Sequence, residues 1–370
     1  MTALSTITRI RAGALTSTDI LPTIPVAQHM SWAARRVTTR PEDAAYCLLG
    51  LFSIHLPMLY GEGAEKAFLR LQEEILKETN DLTLFAWSLP EAQAASQPYW
   101  GILASSPLSF STCQTIESRF DTLHASECAV TSKGIRVTPV HGAGLRTGHI
   151  RQGGYYGLDL GCYDRNTPLA ADLGIILEQL GCDMYARVRP TELDAMPQLA
   201  ARDKNRVFYV AKTVAPARAV EMRAGLGRSI SFAKALSVLY HEYGFKASMF
   251  WPEGHWDMQK RLFLTKGVPW FRCQVLLQSM HSRGEDKGKE MVVACRMSGE
   301  ERGAAASVLV DVEVRYERQD PPDPDQFLKW RVGMGKTVGP RLQGKAVLDV
   351  LDGKGFADGQ PVFVVEVYKK

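Results

Sequence analysis

No Cys-x-x-Cys pair occurs in this chain, and no two of its seven cysteines (Cys47, Cys113, Cys128, Cys162, Cys182, Cys273 and Cys295) have zinc-ligand spacing. An odd, scattered set excludes a complete disulfide framework and implies reduced, buried thiols in a reducing compartment. The eight histidines include no His-x-x-x-His, so no metal site is expected. No run of about eighteen apolar residues is present, which excludes a membrane-spanning helix. No signal-peptide core precedes Pro25. Arg9, Arg11 and the lack of an acid before Asp19 mimic a mitochondrial transit peptide, so that compartment stands as the alternative to the expected cytoplasm. Lysine and arginine are interspersed with acids, the net charge is +4 and the pI is near 8.6. No nucleic-acid partner is expected from so mild a balance. Neither a Gly-x-Ser-x-Gly elbow nor a protease cysteine signature is present.

What is present is ordinary globular material: 370 residues, 45% hydrophobic and 23% charged, enough for two domains. The organising stretch is Val26–Trp87. Thr39, Arg40, Pro41 and Glu42 have capping-box spacing, with Thr39 as the cap and Asp43 in the first turn. An apolar helix is expected from Pro41 toward Gly50. Gly61 and Gly63 then break the chain. A second helix follows, with Ala64, Phe68, Leu71 and Ile75 on one face. Leu82–Trp87 reads as a buried strand and 88–99 as a linker. Beyond it, period-two alternation marks half-buried strands around Ile135–Val137, Tyr156–Cys162, Met184–Val188, Val207–Val210, Val308–Tyr316, Lys345–Val350 and Pro361–Tyr368. Phe327–Val332 is a further candidate, and Phe232–Tyr240 is a candidate helix. His281–Glu290 reads as a charged hairpin tip and Asp320–Pro324 as a stiff turn. The expected fold class is α+β: leader 1–25, helical module 26–87, linker, a β-rich region 100–240, and a second, antiparallel sandwich-like region 241–370.

Two glycine patterns are set aside. Gly142, Gly144 and Gly148 miss the dinucleotide fingerprint by one residue, with strand and turn following instead of a helix. Gly335-Lys336-Thr337 ends like a phosphate loop, but Trp330 stands where its first glycine belongs, and Gly339-Pro340 would break the helix. No cofactor is implied. Trp251, His255 and Trp256 could line a ligand platform, since aromatic faces bind sugars and cations; the alternative, which we favour, is that the tryptophans fill a core. Arg35, Arg36, Arg40, Glu42 and Asp43 admit two readings: a surface for an anionic group or partner, or an internal ion pair with Trp32 packed on the helices.

SWAARRVTTRPEDAAYCLLGLF (Ser31–Phe52), LYGEG (Leu59–Gly63), KAFLRLQEEI (Lys66–Ile75) and LFAW (Leu84–Trp87), in this order, resemble the C-terminal end of the fungal heterokaryon-incompatibility (HET) domain. GILASSPLSF (Gly101–Phe110), SKGIRV (Ser132–Val137) and YGFKASMFWPEGHWD (Tyr243–Asp257) resemble, more loosely, the region that often follows it. The family's upstream blocks are not found here, and Met1 reads either as the true start or as an internal start of a shortened gene. The resemblance implies self/non-self recognition and programmed cell death through contacts with other incompatibility or defence proteins. It makes Trp32, Arg36, Thr39, Arg40, Glu42, Asp43, Tyr60, Gly61, Glu62 and Gly63 its motif positions. HET domains are held to be distantly TIR-like, and some TIR relatives cleave NAD. Most of such a site would lie in the upstream blocks, so a non-enzymatic role is expected, with NAD cleavage or ligand binding by the Trp251/Trp256 loop as alternatives.

Overall fold

The computed structural model describes residues 2–119, 126–139, 145–146, 155–167, 171–181, 183–196, 207–225, 229–258, 260–265, 270–280, 290–298, 307–315, 342–350 and 361–369. The glycine patterns at 142–148 and 335–339, the tip 281–289, the turn 320–324, the strand expected at 327–332, Tyr316 and Cys182 lie outside them. The architecture is α+β, helices first and β-rich sheets after. The chain divides into two compact units, residues 1–179 with 183–221, and 180–182 with 222–370.

The first unit opens with helices α1 (Thr2–Thr8), α2 (Ala12–Thr16) and α3 (Val26–Ala33). The helix α3, absent from the expected elements, has all eight residues buried. Its first amides cannot bond within the helix, and distant side chains satisfy two of them. Val26 N–H donates to Asp81 Oδ2 at 2.8 Å and Ala27 N–H to Thr83 Oγ1 at 3.1 Å. Asp81 Oδ1 also accepts from Thr83 N–H at 2.9 Å. That cap turns Leu82–Phe85 into a 3-10 helix rather than the expected strand, because an aspartate bonding two residues ahead favours a turn over a ladder.

The expected helix after Pro41 shrinks to α4 (Asp43–Tyr46), with turns following it. The helix α5 (Ala64–Glu78) matches its expected face: Phe68, Leu71 and Ile75 are buried, with Ala67, Gln72 and Leu76 beside them. Gln72 grips backbone from inside the core. Its Nε2 donates to Ala104 O at 2.8 Å and its Oε1 accepts from Ala104 N–H at 2.9 Å. The Trp87 indole donates to Ile102 O at 2.7 Å. Gly101 lets this segment approach its neighbour, since a Cβ there would sit 2.1 Å from Lys212 O. Residues 88–99 carry α6 (Glu91–Ala94) and are tied down by Leu89 N–H to Pro190 O at 2.7 Å and Gln97 Nε2 to Val214 O at 3.1 Å.

The sheet of this unit contains β1 (Ile116–Ser118), β2 (Glu127–Thr131), β3 (Gly134–Thr138), β4 (Leu145–Arg146), β5 (Tyr156–Asp164), β6 (Leu173–Gly181), β7 (Met184–Val188), β8 (Asp194–Ala195) and β9 (Phe208–Val210). The order is β1-β5-β6-β7-β9-β3-β2, with β4 on β5 and β8 on β6. β5 runs antiparallel to β1, β4 and β6, β8 to β6, and β3 to β2 and β9, while β7 and β9 run parallel. β6 is an addition to the expected strands. The expected half-burial fails here. β6 is buried at eight of nine positions and β7 at four of five. Both sheet faces are covered, and one apolar cluster joins Phe68, Phe85 and Trp87 to Leu158, Leu177 and Tyr185.

The second unit receives the C-terminal part of α7 (Pro216–Gly225) and holds α8 (Ala233–His241), the latter as expected. One sheet joins β10 (Ile230–Ser231), β12 (Trp256–Asp257), β13 (Leu262–Phe263), β17 (Leu342–Val350) and β18 (Pro361–Lys369), in the order β12-β13-β10-β18-β17. The other joins β11 (Phe245–Trp251), β14 (Phe271–Ser279), β15 (Glu290–Ser298) and β16 (Ser307–Arg315) in the order β11-β14-β15-β16. Pairing is again antiparallel apart from β10 with β18. A single cluster draws on both sheets, including Phe263, Cys273, Val293 and Val365.

Candidate functional site

The motif residues between Arg40 and Arg70 fold onto one another. Glu42 stands just ahead of α4 and is 4% exposed. Its Oε1 accepts from Gly61 N–H at 2.8 Å and Gly63 N–H at 3.0 Å. Both glycines have positive φ, +100° and +86°, a conformation costly for a residue with a Cβ. That geometry turns two amides toward one carboxylate, as in an anion-binding nest. Hydrogen bonds from its own amide and from Gly63 and Gly61, with Arg40 adding attraction, hold the Glu42 carboxyl below the usual carboxylate range.

Glu62 is taken up as well. Tyr46 Oη donates to Glu62 Oε1 at 2.8 Å while accepting from Leu59 N–H at 2.8 Å. Arg70, on α5, bonds the same carboxylate oxygen at 2.5 Å and Pro57 O at 2.9 Å. Burial, then the bond to Glu62, raises the Tyr46 phenol. Tyr60 Oη donates to Asp43 Oδ1 at 3.0 Å, which raises the Tyr60 phenol. The Arg40 guanidinium lies 4.3 Å from the Tyr60 ring centre. The result is a clasp closing loop 57–63 onto α4 and the start of α5. Every acid of the motif is engaged in it.

The clasp corrects three expectations. Thr39 is exposed and caps nothing; the cap of α4 is Glu42, whose side chain makes no capping bond, and Thr38 Oγ1 donates to Arg40 O at 2.7 Å. Arg40 forms no ion pair with Glu42 or Asp43 among the described residues, because backbone amides and Tyr60 occupy those carboxylates first. Cys47 is exposed, against the expected buried thiol, whereas Cys113, Cys128, Cys162, Cys273 and Cys295 are buried. Trp32 lies apart from the clasp, buried on α3 edge-on to His29 at 4.8 Å. Arg36 is exposed. Tyr46 and Arg70 complete the network, and the alternation of residue types carried no signal for either.

Replacing Glu42 by glutamine is expected to speed hydrogen exchange at Gly61 and Gly63, because a neutral amide oxygen is the weaker acceptor. The sign with pH follows from the lowered pKa: the stabilisation is complete above the unfolded carboxylate value and is lost as pH falls through the folded one. Equal exchange in wild type and variant at neutral pH would refute the clasp.

Of the second sequence candidate, one residue lies in the core. Trp256 is buried, stacked on Phe250 at 4.0 Å and tilted against Phe263 at 4.9 Å. His255 Nδ1 is 2.7 Å from Leu264 O, and Trp251 is half-buried on β11. Phenylalanine thus covers Trp256, while Trp251 and His255 stay half-buried.

Among the described residues no cluster of three or more His, Cys, Asp or Glu could hold a metal ion, and no helix is long and apolar enough to cross a membrane. A family described as a domain of unknown function (DUF8212) matches residues 66–100. A 53-residue stretch is 55% identical to part of the vegetative incompatibility protein HET-E-1 of Podospora anserina, covering 14% of this chain and 4% of that protein. The chain thus contains a HET-related region and spans a small fraction of that relative's length. No solved structure matches.

Proposed function

We propose that this chain acts without catalysis, through protein–protein contacts, in fungal incompatibility, the self/non-self recognition that ends in programmed cell death. The likeness to the Podospora anserina protein supports the incompatibility setting. The non-catalytic reading rests on one observation: Glu42, Asp43 and Glu62 are held by Gly61, Gly63, Tyr60, Tyr46 and Arg70. A glycohydrolase needs a carboxylate poised against its substrate, and these are spent on local structure. The same module displays apolar surface beside positive charge. Val37 is 98% exposed, Met58 59% and Leu59 52%. Arg35 and Arg36 are exposed with no ion-pair partner among the described residues. Such residues suit the rim and anchors of a protein interface, and the cytoplasm is the compartment in which we place it.

Purified protein incubated with NAD is expected to release no nicotinamide above a buffer control. Release abolished by Glu62→Ala or Glu42→Ala, in variants that keep the wild-type circular dichroism, would place chemistry in the clasp and replace this reading with an NAD-cleaving one.

A further inference from the structure

Cys273 on β14 and Cys295 on β15 face each other in antiparallel register, between the neighbouring pairs Arg272–Arg296 and Gln274–Ala294. Both belong to the same apolar cluster, with exposures of 0% and 3%. Burial, then the hydrogen bond between the two thiols, holds the Cys273 thiol well above its ordinary range. Residues directly opposite in an antiparallel pair have Cα atoms about 4.5–5.5 Å apart. A disulfide spans roughly 4.4–6.8 Å, so the backbone need not move to join them.

The place of the pair on the ladder matters too. It is the third pair from the end where β14 begins and β15 finishes, outside it only Arg272–Arg296 and Phe271–Met297. Arg272 and Arg296 are exposed and have no ion-pair partner among the described residues. Like charges directly opposite destabilise a ladder. Phe271 and Met297, the pair beyond them, are buried in the same cluster, so the thiols become accessible when this part of the core opens locally.

We infer that Cys273 and Cys295 form a cross-strand disulfide when the protein meets a hydroperoxide. One thiolate attacks the peroxide oxygen; the O–O bond breaks, alkoxide or hydroxide leaves and takes up a proton as alcohol or water, and a sulfenic acid remains. The second thiolate attacks that sulfur, the S–S bond forms, and hydroxide leaves and takes up a proton as water. The two sulfurs are oxidised and the peroxide is reduced. The new bond closes a loop through residues 274–294 and restrains the unfolded chain. That should raise the unfolding midpoint of this unit by roughly 5 °C.

The test uses the full chain. Cys47 is first blocked by alkylation under native conditions. The protein is then oxidised with hydrogen peroxide, quenched, denatured and alkylated with a second reagent. Digestion without reductant is expected to yield one linked peptide pair containing Cys273 and Cys295, lighter than its parents by two hydrogens and separated again by reductant. In Cys295→Ser the oxidation should stop at a sulfenic acid on Cys273, trapped by dimedone. If that variant fails to fold, the wild-type peptide map decides alone. Recovery of both cysteines bearing the second reagent, linkage of either to another cysteine, or a link formed only in denaturant would each overturn the inference.

Discussion

Arg187→Ala is expected to cost the first unit about 4 kcal/mol, read from urea titration followed by tryptophan fluorescence. Arg187 is fully buried on β7. Its Nη1 donates to Phe85 O at 3.1 Å and its Nη2 to Trp87 O at 2.6 Å. The guanidinium centre lies 3.8 Å from the Trp87 ring centre. These carbonyls end the 3-10 helix Leu82–Phe85 and its continuation, so the cation meets the negative end of that turn. Removal leaves two buried carbonyls unpaired and a cavity beside Trp87. One opposing effect reduces the loss. Burial lowers the Arg187 pKa to about 9, which measures how far the site disfavours the charge it holds. Arg187→Met fills much of the volume without the charge, and about half the loss is expected. Equal losses in the two variants would show that the guanidinium bonds and not the cavity matter; no loss in either would refute the role given to Arg187.

The second large effect is a pH dependence. His29 on α3 is 4% exposed, with its ring edge-on to Trp32 at 4.8 Å and to Phe52 at 5.4 Å. Its Nε2 has no hydrogen-bond partner among the described residues. Burial lowers its pKa from 6.5 to about 4, so the folded protein keeps this ring neutral where the unfolded chain would protonate it. Stability is therefore full above pH 6.5 and falls as pH drops toward 4. The loss is on the order of 3 kcal/mol when the window has been crossed. The Glu42 contribution disappears only at more acid pH, below the ordinary carboxylate value. His29→Phe keeps an aromatic ring and removes the titration. Protection factors of the α3 amides, taken against the intrinsic exchange rate at each pH, should then differ little between pH 7 and pH 4.5 in the variant, and strongly in the wild type. A wild-type profile flat across that interval would show that protonation of His29 is accommodated by the fold.

Both effects involve residues whose importance the linear pattern concealed. In Met184–Val188, alternation assigned Arg187 to the polar face with Tyr185 and Arg189. It is buried because Phe85 and Trp87, from a segment 100 residues earlier, lie against that face. Period-two reading presumes one wet face, and here the helical module removes it. His29 stood in a segment too short for a helical face to announce itself.

What the sequence determined by itself was local and periodic. The apolar face of α5 and the strands near Ile135, Tyr156, Met184 and Val364 follow from repeats of 3.6 or 2 residues, which burial selects wherever the element lies. Gly61 and Gly63 were legible as a chain break, because glycine tolerates backbone conformations that other residues avoid; their positive φ is seen only in the structure. The tertiary structure alone decided how ambiguous polar groups are used. Thr39 and Glu42 had the spacing of a capping box, yet Glu42 reaches Gly61 and Gly63, 19 and 21 residues on. Asp81 satisfies α3, 55 residues earlier. A carboxylate goes to whichever unsatisfied amides the fold brings to it, and spacing along the chain records only those nearby.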